Sequence, residues 1–210
     1  MTGAPAGISF DLFGTLVAAD RPDDPAAAVG AALAERGVPV PDDWRAAYRE
    51  SHVEVPAGAE LPLPDHVRAA LASRGVPADR ETAVAAVRAA FESEVRTRPD
   101  AARAVAAAAE RGPVGVLSNC SVPGLAERAL ARSELDSRSL AVVTSVGCGW
   151  RKPDSRAFAA VADALGVPVE GLLHVGDDPA TDGGADDAGA NSLLVGEVPL
   201  AELPARLEAP

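Results

Sequence analysis

GISFDLFGTLV, residues 7–17, decides how the chain is read. Ile8 to Phe10 is apolar and β-prone, and the strand it predicts runs on to about Phe13. It delivers Asp11 to its carboxyl end, with a Gly14-Thr15 turn directly behind it. A carboxylate at the end of a buried strand is costly unless a cation, hydrogen bonds or chemistry compensate it. In open α/β sheets that strand end is also where ligands bind.

Working outward, residues 18–95 carry helical patterns at about 25–36, 42–50, 64–74 and 79–95, with no strand expected among them. Gly37 and Gly75 follow two of these as stops, Asp42, Asp43 and Asp79 offer N-caps, and three prolines with a glycine mark residues 56–64 as a loop. Strands and helices alternate from there on. Helices are expected at 99–111, 122–132, 155–165 and 185–188, and strands at 114–117, 140–144, 172–175 and 192–195. That order implies an α/β fold, a Rossmann-like parallel sheet with helices on both faces. The expected division is an α/β core of residues 1–17 and 96–210 with a small all-helical domain at 18–95.

The predicted strands end in polar residues: Asp11, then Ser118-Asn119, then Asp177-Asp178 after Gly176. Lys152 lies in the loop after the 140–144 strand and is the only lysine of the chain, so any role that needs an ammonium falls on it. In a parallel sheet these ends share one edge. Carboxylates that would repel each other can share Mg²⁺, a hydroxyl and an ammonium can hold phosphate oxygens, and Asp11 can attack in line.

Four ordered pieces carry a resemblance. DLFGTL, VLSN, WRKPD and HVGDDPATDGGADDAGA resemble, in order, the four motifs of the haloacid dehalogenase-like hydrolase superfamily. The helical insertion after the first strand is similar to that superfamily's first type of cap. The resemblance implies Asp11 as nucleophile and metal ligand, and Thr15 and Ser118 on the transferring group with help from Asn119. Lys152 would offset charge and bind phosphate. The metal, Mg²⁺, would be held by Asp11, the backbone carbonyl of Phe13 and Asp177, with Asp182 in support and Asp178 as a further ligand or support.

One position departs from the phosphatases that the chain resembles. They carry a second Asp two residues after the nucleophile, where this chain has Phe13. General acid–base help is worth about 10²–10⁴-fold. The family's dehalogenases also carry an aromatic there and a Ser-Asn pair in the second motif, but typically lack the acidic fourth motif kept here. The expectation is therefore a Mg²⁺-dependent phosphatase of a small phosphorylated metabolite acting through an aspartyl-phosphate. Alternatives are a 2-haloacid dehalogenase and a weakly catalytic phosphate- and metal-binding module. A phosphonate-cleaving branch is excluded in its usual form, because it needs a cap lysine and residues 18–95 hold none.

Composition adds exclusions. A net charge of -12 argues against nucleic acid as a partner, and no apolar run approaches the ~18 residues of a membrane span. The start, MTGAPAG, shows no secretory pattern, so the expected location is cytoplasmic. Cys120 and Cys148 read as reduced thiols. The lysine-poor, acidic surface suits either a halophilic source or Arg-rich coding. His174, inside LLHV, reads as a core histidine, and Trp150 as a packing residue. His52, His66, Tyr48, Arg45, Arg49 and Arg68 read as surface or packing residues, and Asp186 and Asp187 as a solvated helix face. Oligomeric state is not legible.

Overall fold

Five parallel strands build the central sheet of the computed structural model, which describes residues 4–208. They are β1 (Gly7–Phe10), β4 (Val114–Ser118), β5 (Ala141–Thr144), β6 (Leu172–Gly176) and β7 (Asn191–Leu194), in the order β5-β4-β1-β6-β7. Strand β1 lies between β4 and β6, so the order reverses around it and a crevice opens at its carboxyl end. Parallel strands covered on both faces read as mainly apolar runs, as GISF, VGVLS and LLHVG do, each buried along its whole length.

Helices cover both faces. Ile8 and Phe10 pack with Ala101, Ala104 and Ala108 of α5 (Ala101–Ala109) and with Leu203 and Leu207 of α10 (Leu203–Glu208). Leu117 and Leu172 pack on the other face with Phe158 and Val161 of α8 (Ser155–Leu165). Apart from Ile8, Phe10 and Phe158, the buried residues of these layers are mainly Ala, Val and Leu.

Four helices follow the first strand: α1 (Pro25–Ala34), α2 (Trp44–Arg49), α3 (Leu63–Ala72) and α4 (Arg80–Ala90). They have a cluster of their own around Val29, Leu33, Trp44, Val67, Leu71 and Val87, which reaches the sheet layer at Cys120 and Val122. Asp24 and Asp79 cap α1 and α4 by accepting backbone N–H bonds at 2.9 and 2.8 Å.

The expectation of no strand in this region needs correcting. Short strands β2 (Val17–Ala19) and β3 (Val95–Thr97) pair antiparallel where the chain leaves and rejoins the sheet layer. Three residues each are too few for a period-2 pattern to show. The last helix of the segment accordingly ends at Ala90 and not near residue 95. Two further helices, α7 (Ser145–Cys148) inside the loop before Lys152 and the terminal α10, were also not expected. The remaining elements, α6 (Leu125–Arg132) and α9 (Gly184–Asp187), fall where helices were predicted. No helix among the described residues is long and apolar enough to cross a membrane. The outer residues of the predicted core segments, 1–3 and 209–210, lie outside those described.

Candidate active site

Asp11 is placed by backbone. Its N–H donates to Val175 O of β6 at 2.8 Å, which fixes the residue at the mouth of the crevice. Its carboxylate is buried, and Oδ1 accepts from Lys152 Nζ at 2.7 Å. Lys152 also donates to Asp182 Oδ1 at 2.6 Å and to Leu117 O at 2.8 Å, so all three of its protons have acceptors. The lone lysine is one of the most buried polar residues of the molecule, as burial of an ammonium requires when it is fully paired.

Asp182 is held on every side. Oδ1 also meets His174 Nε2 at 3.0 Å, and Oδ2 accepts the Asp178 N–H at 3.0 Å. His174 stands opposite Ser9 in the β1–β6 register, and its Nδ1 lies 2.8 Å from Ser9 Oγ. A neutral ring that donates Nε2–H to Asp182 and accepts the Ser9 hydroxyl satisfies both nitrogens. Burial first, then the nearby Lys152 charge, pushes the His174 pKa down to about 4, so the ring is neutral at pH 7. Burial raises the Asp182 carboxyl, but the His174 hydrogen bond and Lys152 outweigh it and hold it below the usual carboxylate range. Asp11 ends on the other side. Burial pushes it up to about 6, against the pull of Lys152 and with added repulsion from Asp182 and Asp177.

Asp177 completes the group. Oxygens of Asp11, Asp177 and Asp182 all lie within 4.8 Å of one another. Thr15 donates its hydroxyl to Asp177 Oδ1 at 3.0 Å. Gly14 is required here: at φ 107° it accommodates the turn, and a Cβ there would stand 2.5 Å from Asp177 Oδ2. Gly176 has the same function toward Asp182, whose Cγ would be 2.1 Å from an added Cβ. These contacts explain why the motifs are glycine-punctuated.

The remaining predicted residues divide between the cavity and its scaffold. Ser118, Asn119, Phe13, Asp177 and Asp178 line a cavity of about 610 Å³ in front of Asp11. Asn119 spends its side chain on the Lys152 backbone, accepting from its N–H at 2.8 Å and donating to its C=O at 2.9 Å, and so fixes the lysine. Thr15 is fully buried, and its hydroxyl is bonded to Asp177. Asp178 uses its carboxylate to accept the Ala180 N–H at 2.8 Å within the turn. Phe13 packs against both the sheet-layer cluster and the helical cluster, and no hydrogen bond reaches its carbonyl among the described residues.

Sequence reasoning missed the wiring behind the site. His174 is a core histidine, as expected, yet it is bonded to the same Asp182 that holds Lys152. The alternation of Ser9 and Asp11 along one strand, with His174 two residues before Gly176-Asp177, was the available signal. Glu60 was also missed. Its side chain pairs with Arg151 Nη1 at 2.7 Å and accepts the Ser145 hydroxyl. Backbone bonds from Glu60 N to Gly149 O and from Arg151 N to Gly58 O, both 2.9 Å, strap the 58–60 loop to the loop that carries Lys152. Trp150 packs beneath the Arg156 guanidinium, 3.2 Å from the ring centroid. His52 and His66 are bonded to backbone carbonyls of the helical segment. None of these three, nor Tyr48, Arg45, Arg49 or Arg68, lines the cavity. Cys120 and Cys148 are free thiols. Burial pushes the Cys120 thiol up, which disfavours the thiolate.

A lysine-clamped aspartate at the end of the central strand, beside two more carboxylates, meets its match in sequence families. The profile of the haloacid dehalogenase-like hydrolases fits residues 5–189. The chain belongs to that family. It is 39% identical over 98 residues to Phosphatase MT3486 of Mycobacterium tuberculosis (strain CDC 1551 / Oshkosh), a match covering 46% of this chain and 45% of that protein. The alignment thus spans about half the length of that curated relative. Among solved structures, a 2-haloacid dehalogenase from Pseudomonas syringae pv. Tomato DC3000 superposes with a TM-score of 0.67 at 21% identity, over 96% of this chain and 97% of the other. A predicted phosphoglycolate phosphatase from Haemophilus somnus 129pt superposes with a TM-score of 0.56 at 18% identity, over 92% of this chain and 86% of the other. At such identities these two establish the shared fold, and this haloacid dehalogenase-like protein is a hydrolase by family.

Proposed function

We propose that this hydrolase cleaves a phosphoryl group from a small phosphorylated metabolite, through an aspartyl-phosphate on Asp11 and with Mg²⁺. One observation carries the reading. Three carboxylates, Asp11, Asp177 and Asp182, face a single ammonium, Lys152, and the neighbouring histidine is neutral at pH 7. The cluster is left with two negative charges, which a divalent cation with oxygen ligands offsets. A 2-haloacid dehalogenase needs no metal, so its carboxylate substrate would have to approach that charge with no cation to offset it. The name of the relative from M. tuberculosis points the same way.

The donor set suits Mg²⁺. Asp11 and Asp177 would hold it with the free carbonyl of Phe13, while Asp182, engaged by Lys152, His174 and the Asp178 N–H, supports the site. Bound there, the ion would neutralise nucleophile and phosphoryl oxygens as charge develops.

The chain's own groups do the rest. Lys152 fixes Asp11 Oδ1, and Oδ2 is the oxygen without a hydrogen bond among the described residues. Oδ2 forms the bond to phosphorus while the bond to the departing alkoxide breaks. Ser118 binds the phosphoryl oxygens, and Lys152, its protons engaged by Asp11, Asp182 and Leu117 O, offsets their charge through space. Water then attacks the aspartyl-phosphate, releasing phosphate and regenerating Asp11. Phe13 can neither protonate the alkoxide nor deprotonate the water, so those protons come from solvent or from substrate. Residues 18–95 act as a cap whose two linkers, through Arg21, Pro22, Phe91 and Val95, wall the cavity.

The test is phosphate release from a panel of phosphomonoesters, with Mg²⁺ and with excess chelator. Metal-dependent release is the expected result. Chelator-insensitive halide release from 2-haloacids would overturn the assignment, and metal-dependent ligand binding with no turnover would mark a binding module.

A further inference from the structure

Basic side chains in the cavity are not equivalent. Lys152 is bonded to Asp11 and Asp182, Arg132 to Glu92, and Arg151 to Glu60. Arg21 is exposed, and solvent screens it. Arg128 differs from all four. It lines the cavity from α6, its Nη2 is shut off from solvent, and that atom has no hydrogen-bond partner among the described residues. A buried, charged donor without an acceptor is rare and calls for an explanation.

A second guanidinium lies beside it. Arg88 of α4 donates Nε–H to Pro123 O at 2.9 Å, which brings its head over Gly124. A Cβ at Gly124 would stand 3.0 Å from Arg88 Nη2 and 3.5 Å from Arg128 Nη1. Both heads therefore share the space that this glycine leaves open. Glu92 is near enough to feel Arg128, but its hydrogen bond goes to Arg132. Two adjacent cations, one with an unmet donor, form the inverse of the cluster at Asp11: a place short of negative charge.

We propose that Arg128, with Arg88 beside it, is an anion subsite that recognises a second negatively charged group, a carboxylate or a phosphate, on the part of the substrate that departs. The proposal rests on the phosphoryl-hydrolase reading for what sits at Asp11. The cavity of about 610 Å³ has room for a small organic body between the two ends. A guanidinium fork matches the planar oxygen pair of a carboxylate or two oxygens of a phosphate, and rotation about its last torsions turns Nη2 toward the cavity. A substrate charged at both ends would be selected against the many neutral-tailed phosphomonoesters of a cell.

The experiment has a turnover arm and a binding arm. For turnover, kcat/KM is measured for phosphoesters of two- to four-carbon hydroxy acids against the matching amides, and for diol bisphosphates against monophosphates. At one chain length or more the charged member should be favoured by about 10-fold or more, as a charge-assisted hydrogen bond supplies. The acid and bisphosphate series tell the two anions apart. Arg128→Met should collapse that ratio toward one. Arg128→Lys, which keeps the charge and loses the fork, should leave an intermediate ratio and serves if Met at this site impairs folding. For binding, titration calorimetry on Asp11→Asn protein compares phosphonoalkanoates of two to four carbons with the corresponding alkylphosphonates. This arm needs no hydrolysis. Discrimination that Arg128→Met abolishes supports the subsite even if no ester turns over, in which case the phosphatase reading fails and the subsite stands. Equal binding of charged and neutral probes, or discrimination that survives in both Arg128 variants, overturns the proposal.

Discussion

Lys152 Nζ stands 2.7 Å from Asp11 Oδ1 although the two residues are 141 positions apart, and the same nitrogen is 2.6 Å from Asp182 Oδ1. The ammonium thus holds the candidate nucleophile and its supporting acid together. Lys152→Met should leave both carboxylates buried without a counter-charge. Removing one partner of a buried pair costs about 3–5 kcal/mol. A loss of that size in unfolding free energy, seen as a lowered urea midpoint, is expected in chelator, with kcat reduced by about 10²-fold or more. An unshifted midpoint would show that the pair does not contribute to folding.

Phe13 stands where proton transfer to the leaving group is managed in the phosphatases this chain resembles. Phe13→Asp should raise hydrolysis of a poor-leaving-group phosphomonoester by about 10²-fold, the low end of what general acid–base help supplies. The same change removes an aromatic ring packed against two clusters. Because the ring is half-buried, stability should fall by about 2 kcal/mol, roughly half the loss for a core Phe. Rates and thermal midpoints measured on one preparation separate the effects. A flat rate would show that another group already moves the proton.

Asp177 adds repulsion to Asp11 in the metal-free protein. Asp177→Asn keeps an oxygen for the Thr15 hydroxyl and removes the charge. Without metal, its thermal midpoint should rise slightly, by less than about 1 kcal/mol in stability, since Asp177 is exposed and screened. Its Mg²⁺-dependent turnover should fall by about 10²-fold or more. Midpoint and rate should therefore move in opposite directions, which a purely structural Asp177 would not produce.

Two buried groups give opposite pH slopes in the metal-free protein. Asp11 is raised from 3.8 to about 6, so between those values the folded state binds the extra proton and stability falls as pH rises. His174 is lowered from 6.5 to about 4, so the unfolded state binds the extra proton and stability falls as pH drops from 6.5 toward 4. Each corresponds to about 3 kcal/mol, at 1.36 kcal/mol per unit. In wild type they offset across most of pH 4–6.5. In Asp11→Asn the His174 slope is exposed, and urea denaturation in chelator should show about 3 kcal/mol lost between pH 6.5 and 4. A level profile in that variant would contradict the neutral histidine.

Legibility differed by type of interaction. The five strands of the central sheet were readable as short, mainly apolar runs alternating with helices, and Asp11, Ser118, Lys152 and Asp177 could be placed together because strand ends in a parallel sheet share an edge. The β2–β3 ribbon was not, because three residues carry no period and its pairing joins positions on either side of four helices. The hydrogen-bond partners of Thr15 and Asn119 were not legible either: which atom a hydroxyl or amide bonds is a matter of distance between segments.

The alternation of strands and helices after residue 98, the single lysine, the acids at the strand ends and the aromatic at position 13 were legible in sequence alone, because each is a matter of residue type and local spacing. Tertiary structure alone decided that His174 steadies Asp182, that Gly14 and Gly176 make room for two carboxylates, and that Arg128 keeps a donor unmet beside Arg88. Those facts depend on contacts between distant segments and on which charges remain without partners once the chain has closed, and no local pattern records either.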